Sequence, residues 1–159
     1  MAKSPDFDVT AAHKYFAAHC FNSAWDLLEK PSRSAEDDRL MAALNQASIY
    51  HWLNRPDCTP KRLSVGYWQA SRIQSVLGNA AEARRFAEVC LSYSADLEPF
   101  FLGYAHEALA RAANMAAENR LAETHFKLAS DQAALISLKE DRELLTKDLD
   151  TLRQALGAH

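Results

Sequence analysis

Three observations predict an all-α fold. The 159 residues include only four glycines and five prolines, which leaves little material for the turns of β-hairpins. Alanine, leucine, glutamate and arginine, which are strong helix formers, fill the stretches between. Capping residues and prolines recur at intervals of one helix length, and the chain matches itself at an offset of 39 residues, the separation of Arg72 and Arg111. The length predicts a single domain over residues 1–159.

Capping signals mark where most of the helices begin. An N-cap side chain accepts hydrogen bonds from the first free N–H groups, and a proline directly after it loses nothing because its missing N–H would have no partner. Other signals combine a cap with an acidic residue three positions later, as in a capping box. In chain order the signals are Ser4 with Pro5, Ser34 with Asp37, Thr59 with Pro60, Asn79 with Glu82, and Ser137 with Glu140.

Helix breakers supply the remaining boundaries. Pro99 marks the start of a fifth helix, with Asp96 and Glu98 as candidate caps, and a break near Ala117 starts a sixth. The first four helices are predicted to end at about Glu29, Leu53, Leu77 and Tyr93. The turns are short, so we expect neighbouring helices to pack as antiparallel hairpins.

The seventh helix has a single apolar stripe. Its leucines follow one another at spacings of four, three and four residues, and charged residues fill the opposite face. We expect the stripe to cover the last hairpin, although pairing between two chains through the same stripe is an alternative. The leucines are Leu145, Leu149, Leu152 and Leu156.

The internal match aligns small residues with one another. Small side chains recur where two helices approach closely, because only they allow a short distance between the helix axes. A repeat period between 20 and 50 residues indicates a stack of similar units. The aligned pairs are Ser71 with Ala110, Arg72 with Arg111, Gly78 with Ala117, Ala83 with Ala122, Ala87 with Phe126, and Cys90 with Ala129.

These positions resemble the tetratricopeptide repeat, a helical hairpin with small residues at fixed places and a glycine at its turn. The units cover about residues 67–97 and 104–136, and a capping helix follows at 138–156. Both units depart from the pattern, since Ala87 replaces an aromatic residue and Ala117 replaces the turn glycine. The chain is also similar in outline to bacterial tetratricopeptide-like proteins that have no assigned function.

The resemblance implies a right-handed stack whose first helices line a concave face that binds proteins or peptides without catalysis. The alignment would place two guanidinium groups beside aromatic rings on that face, which suits a carboxylate or phosphate of a partner. A simple helix ion pair between Glu107 and Arg111, four residues apart, is the alternative interpretation. The predicted groove residues are Trp68, Arg72, Tyr104, Glu107 and Arg111.

A second functional hypothesis centres on His51 and Trp52 near the end of the second helix. His51 continues a stripe formed by Leu40, Leu44 and Ala47, which predicts either a buried, hydrogen-bonded histidine or one that contacts a ligand. A small-ligand or enzymatic pocket would combine these two residues with Trp68 and Glu107, and Glu107 or His51 would accept a proton.

Composition and missing motifs argue against several classes of protein. A net charge of −3 with only short basic pairs disfavours nucleic-acid binding. The N-terminal residues lack the apolar region of a secretory signal, and no apolar run is long enough for a membrane span. Three widely spaced cysteines favour a reducing cytoplasm over a disulfide framework. No catalytic, metal-binding or cofactor motif occurs, and the oligomeric state is left open.

Overall fold

A computed structural model describes residues 5–157 of the chain, and it contains seven α-helices and no strand in that range. The all-α prediction is therefore confirmed, and so is the number of helices. The helices are α1 Val9–Leu28, α2 Ala35–Leu53, α3 Pro60–Val76, α4 Ala80–Ser94, α5 Pro99–Met115, α6 Asn119–Leu135 and α7 Lys139–Leu156.

The caps of α2 and α3 are formed as predicted. Ser34 accepts a hydrogen bond from the backbone N–H of Asp37, and the Asp37 carboxylate accepts one from the backbone N–H of Ser34, which completes a capping box. The hydroxyl oxygen of Thr59 accepts a bond from the third residue of α3, and Pro60 is the first residue of that helix.

The predicted starts of α1 and α7 were wrong. Pro5 lies before α1 rather than in it, and Asp8 is the N-cap, because its carboxylate accepts a hydrogen bond from the N–H of Ala11. Ser4 lies outside the described residues. At α7 the N-cap is Leu138, without a side-chain bond, so Ser137 does not form the predicted capping box.

The first six helices form three consecutive hairpins. In the first hairpin His13 near the start of α1 meets His51 near the end of α2, and Ala24 near the end of α1 packs with Met41 near the start of α2, so the two helices are antiparallel. Helices α3 and α4, and then α5 and α6, pair in the same way. Helix α3 also contacts α2 and α5, α4 contacts α5, and α7 packs on α5 and α6.

Three aligned pairs of small residues within the helices lie where the helices pack. All six of these residues are fully buried, which allows α3 and α4, and α5 and α6, to pack closely. The hydroxyl group of Ser71 donates to the carbonyl of Ala83 across the α3–α4 crossing, at 2.8 Å. The six residues are Ser71, Ala83, Cys90, Ala110, Ala122 and Ala129.

The turn between α3 and α4 and the turn between α5 and α6 share one backbone conformation. Gly78 has a φ of 80° and its aligned counterpart Ala117 has a φ of 56°, both in the left-handed region that ends many helices. An alanine in this region is strained by its Cβ, whereas a glycine is not. The second unit therefore keeps the turn geometry of the first although it lacks the glycine.

The inward face of α2 differs from the apolar stripe that the sequence indicated. Leu40, predicted to lie inward, is 50% exposed, and His51 lies at the edge of the buried face. The face includes two polar residues whose groups are satisfied: Asn45 donates to a backbone carbonyl of α3, and Ser48 donates to the carbonyl of Ala17. The buried residues of α2 are Met41, Asn45, Ser48, Ile49 and Trp52.

Helix α7 covers the last hairpin through its leucine stripe. Leu145, Leu149 and Leu152 are buried, and the first two pack with Tyr104 in a cluster that includes residues of α6. The approach of α7 to α5 is close, because a Cβ atom at Gly103 would lie 2.6 Å from a methyl carbon of Leu145. The absence of a side chain at this position therefore makes room for α7.

Leu145→Ala is expected to lower the free energy of unfolding by about 2–5 kcal/mol, because it opens a cavity in a fully buried site. The measurement is urea unfolding followed by circular dichroism. Leu144→Ala, one residue away at a position 52% exposed, is the matched control and should change stability much less. Equal losses for both variants would contradict the assignment of the buried stripe.

Candidate functional site

A cavity of about 450 Å³ lies between the first helices of the three hairpins and α7. Trp25 and Leu28 of α1, together with residues of α3, α5 and α7, line it. We call the surface formed by α1, α3 and α5 the first-helix face. The lining residues are Trp25, Leu28, Glu29, Ser64, Val65, Trp68, Arg72, Val76, Phe100, Phe101, Tyr104, Leu144, Lys147 and Asp148.

Aromatic side chains in contact with one another form much of the cavity wall. The ring of Trp68 lies 5.8 Å from that of Trp25 and meets the ring of Tyr104 edge-on at 5.3 Å. Phe100 meets Tyr104 edge-on at 5.1 Å. These contacts are within the range of favourable aromatic pairs, so the wall is apolar and held in place by its own packing.

A buried ion pair lies behind this wall. Glu107 is fully buried, its carboxylate forms an ion pair with Arg111 one helical turn later, and it accepts a hydrogen bond of 3.2 Å from the indole N–H of Trp68. The Arg111 side chain is only 12% exposed. Arg111 Nη1 and Asn114 Oδ1 are buried, and neither has a hydrogen-bond partner among residues 5–157.

The surroundings of Arg111 disfavour the positive charge of its guanidinium. Burial lowers the pKa of its guanidinium to about 9, and the neighbouring positive charge of Arg72 contributes to the decrease. The group is still protonated at neutral pH, because 9 lies well above 7. Glu107 forms the ion pair with Arg111, and the negative charge of Asp148 also favours the protonated guanidinium, while no carboxylate among residues 5–157 lies within ion-pair distance of Arg72.

Helix α7 contributes a polar contact to the cavity. The hydroxyl group of Tyr104 donates a hydrogen bond of 2.8 Å to Asp148. Burial, together with the negative charge of Asp148, raises the pKa of Tyr104 well above its usual range, so the phenol stays neutral. This bond links α5 to α7 at the wall of the cavity.

The structure brings the five predicted groove residues together, but it divides them into two groups. Trp68, Arg72 and Tyr104 line the cavity, whereas Glu107 and Arg111 lie behind it and form the ion pair that was the alternative interpretation. Glu107, predicted to be part of an open surface, is fully buried. The ion pair is buried rather than solvent-exposed, because α5 is covered by α3, α4, α6 and α7.

Neither His51 nor Trp52 lines this cavity, and the two side chains contact different neighbours. Trp52 is 9% exposed and packs with Ala17 and Leu63, while the guanidinium of Arg55 lies 3.9 Å above its ring. His51 is half-buried rather than buried, and its Nδ1 lies within hydrogen-bond distance of the ring of His13. The cavity lined by Trp68 includes neither His51 nor Trp52, and Glu107 is fully buried outside its lining.

Two histidine pairs were missed by the sequence analysis. The Nδ1 atoms of His13 and His51 are 2.8 Å apart, and those of His106 and His125 are 3.1 Å apart. Each pair joins the two helices of one hairpin at similar distances on either side of its turn. In an antiparallel hairpin such positions face each other, so combining the predicted turns with the histidine positions could have revealed both pairs.

The three cysteines are free thiols. Cys20 and Cys90 are buried and Cys58 is half-buried, and in each case burial is the first cause of a raised pKa, to about 11 for Cys90. A raised pKa keeps a thiol protonated and unreactive.

Within residues 5–157, no three histidine, cysteine or acidic side chains surround a common metal position. In the same range, none of the helices combines the length and the apolar character that crossing a membrane requires.

Comparisons with protein-family models, with curated proteins and with solved structures gave no match for this chain.

Glu107→Gln is expected to lower the free energy of unfolding by about 3–5 kcal/mol, because it leaves the buried Arg111 without a counter-ion while it preserves the volume of the side chain. Chemical unfolding at neutral pH measures the change. Glu143→Gln, in an exposed pair with Lys139 at the same four-residue spacing, is the matched control and should have little effect. A similar, small effect for both variants would show that the buried charge is compensated elsewhere.

The pair of His106 and His125 is expected to make stability depend on pH. Burial first, and then a neighbouring positive charge, lowers the pKa of both below the usual 6.5, so the unfolded chain binds protons more readily just below that pH. The contribution of the two neutral histidines to the free energy of unfolding is therefore complete above pH 6.5. It is lost as the pH falls from there toward the lower pKa values of the folded state.

Unfolding of the His106→Gln, His125→Gln double variant at neutral and at mildly acidic pH tests this expectation. The double variant should lose less stability on acidification than the original chain does. The exposed His19, changed to glutamine, serves as the control and should leave the pH dependence unchanged. An unchanged pH dependence in the double variant would contradict the expectation.

Proposed function

We propose that the protein is a non-catalytic binding module that takes a protein or peptide partner on its first-helix face. In this proposal an apolar side chain of the partner enters the cavity, and a carboxylate of the partner pairs with Arg72. The observation that carries the proposal is the aromatic cavity of about 450 Å³ with the guanidinium of Arg72 in its wall, which forms no ion pair with a carboxylate of the described residues.

The charge arrangement supports a partner that brings its own negative charge. Asp148 is engaged by the hydroxyl group of Tyr104, and Glu107 is engaged by Arg111 and Trp68 behind the wall. Arg72 is half-buried beside these groups, and its planar guanidinium is suited to a bidentate bond with a carboxylate. Asp148 keeps its charge in the same cavity but makes no direct ion pair with Arg72, so an acidic group of the partner would supply that direct contact.

The apolar walls support an anchoring side chain. Burial of an aliphatic or aromatic side chain contributes about 1.5–3 kcal/mol, so one anchor is enough to position a peptide but not to bind it tightly. Anchors in well-packed pockets dominate the energetics of many interfaces. The proposal thus predicts a short motif that combines one large apolar residue with one acidic residue.

A small apolar ligand with an acidic group is the second candidate. The observation that favours it is the volume of the cavity, which falls within the range of about 300–1,000 Å³ typical of small-molecule sites. A thermal-shift screen of metabolites separates the two candidates, because only the second predicts a ligand that raises the melting temperature without any peptide.

Selection of a displayed peptide library on the purified chain tests the proposed function. We expect enriched peptides to share an apolar and an acidic residue, and we expect Val76→Glu to weaken the best of them at least tenfold. Val76 lines the cavity and is 40% exposed, so the change places a charge in the cavity without disturbing the core. Leu128→Glu, on α6 at a position 38% exposed and outside the cavity, is the matched control.

Arg72→Gln should also weaken the peptide, and the loss should shrink at high salt because screening already weakens a charge pair. Arg111 is unsuitable for such a test, since its removal would leave Glu107 buried and unpaired. No enrichment, or equal binding by Val76→Glu and Leu128→Glu, would contradict the proposal.

A further inference from the structure

The solvent side of the first hairpin is apolar. Helix α2 packs against α1 and α3, and the later helices cover one another further along the stack, so the other side of α1 and α2 faces solvent. We call this side the end face. It is formed by Tyr15, Phe16 and His19 of α1 and by Leu40, Ala43, Ala47 and Tyr50 of α2.

Ring contacts make the end face continuous across the two helices. Phe16 of α1 stacks on His51 with ring centres 5.4 Å apart, and Tyr50 meets the same histidine ring edge-on at 5.4 Å. The rings of Tyr15 and Phe16 are 5.1 Å apart. The large apolar side chains of the face, which include Leu40, are each between 42% and 60% exposed. The end face is therefore one apolar patch rather than a set of scattered residues.

Charged residues are missing from most of the helix at the centre of this face. Residues 40–53 of α2 contain no lysine, arginine, aspartate or glutamate. In α7, which also borders solvent, half of the 18 residues are charged. A helix with one side in water ordinarily has charged residues on that side, whereas the centre of a protein interface is depleted in charge and enriched in aromatic residues. The composition of α2 thus indicates that both of its sides are covered in the functional assembly.

The part of the end face on α2 is symmetric about its middle. Leu40, Ala43, Ala47 and Tyr50 follow one another at spacings of three, four and three residues, so they lie on one side of the helix. Large side chains stand at both ends and small ones in the middle. When a second α2 lies antiparallel across this side, Leu40 meets the partner's Tyr50 and Ala43 meets the partner's Ala47. The small residues then allow the two helices to approach closely.

We propose that two copies of this chain associate through the end face, with their α2 helices antiparallel about a two-fold axis. The leucine stripe of α7, the other candidate for pairing between chains, is buried against α5 and α6. The inference does not rest on the proposed binding function, because no residue of the end face lines the cavity.

The large side chains of the end face supply about half of the area that a stable dimer requires. An aromatic side chain buries about 150–250 Å² when it is fully covered, and the four large side chains are about half exposed, so together they would contribute about 400 Å² per chain. An interface of standard size takes about 800 Å² from each partner. The alanines, the histidines and the polar rim of the face would supply the remainder.

The chemistry of the end face favours a second copy over other partners. A two-fold interface uses the same surface twice, so it suits a face without charges, because like charges would repel each other. The phenol hydroxyls of Tyr15 and Tyr50 are donors and a neutral His19 ring offers an acceptor, so one face provides both. Helices that bind membrane surfaces have lysine and arginine beside their apolar side, and residues 40–53 have neither.

Size-exclusion chromatography with light scattering on the untagged chain tests the proposal. At about 100 μM, well above the Kd of about 1 μM at the weak end of interfaces of this size, the mass should be twice the 17.8 kDa of one chain. Ala43→Glu should reduce the mass to that of one chain, because it places an unpaired charge where the two helices cross. Ala18→Glu, at an exposed position of α1 outside the end face, is the matched control and should leave the dimer intact. Circular dichroism of each variant checks that the helices are formed.

Mixing two variants tests the antiparallel arrangement. Ala47→Lys should by itself also give single chains. An equimolar mixture of Ala43→Glu and Ala47→Lys should form the dimer, because position 43 of one chain then faces position 47 of the other and the two new charges attract each other.

A single-chain mass for the original chain overturns the proposal, and so does a dimer that survives Ala43→Glu or is lost in Ala18→Glu. If the original chain is single and sediments with anionic phospholipid vesicles, and Ala43→Glu prevents this, the end face binds a membrane instead. A mixture of the two charged variants that stays single overturns the antiparallel arrangement.

Discussion

The ion pair of Glu107 and Arg111 inside α5 is the interaction on which the rest of the structure depends. Two charges removed from water lose solvation worth several kcal/mol each, and they are tolerated only where their partners are held in place. Trp68 of α3 supplies the hydrogen bond to the carboxylate, so α3 and α5 must keep one relative position. Helix α5 is accordingly the element that contacts α3, α4, α6 and α7.

The same pair determines the character of the cavity in front of it. Because Glu107 is engaged by Arg111 and Trp68, its charge is not available to Arg72, which lines the cavity as a separate positive group. The hydroxyl group of Tyr104 donates a hydrogen bond to Asp148 and so links α5 to α7. The carboxylates of Glu107 and Asp148 thus both have partners within the chain, whereas Arg72 forms no ion pair with a carboxylate of residues 5–157.

Much of the fold could be predicted because its determinants are local. Caps such as Ser34 and Thr59 act within one turn of helix, and small residues such as Ala83 and Ala122 recur at the separation of one hairpin. The candidate site was predicted only in part. The repeat alignment selected Trp68 and four other residues that the structure brings together, but it could not distinguish a wall residue from one behind the wall.

The sequence by itself determined seven helices, most of their boundaries and the stripe of α7, because capping, backbone restriction and the helical period act over a few residues. Only the tertiary structure decided which face of α2 is buried, since Asn45 and Ser48 become acceptable inside only when partners in other helices are present. The pairing of His13 with His51 and the burial of Glu107 likewise depend on which helices pack together. Those contacts join residues far apart in the chain, so local sequence patterns do not predict them.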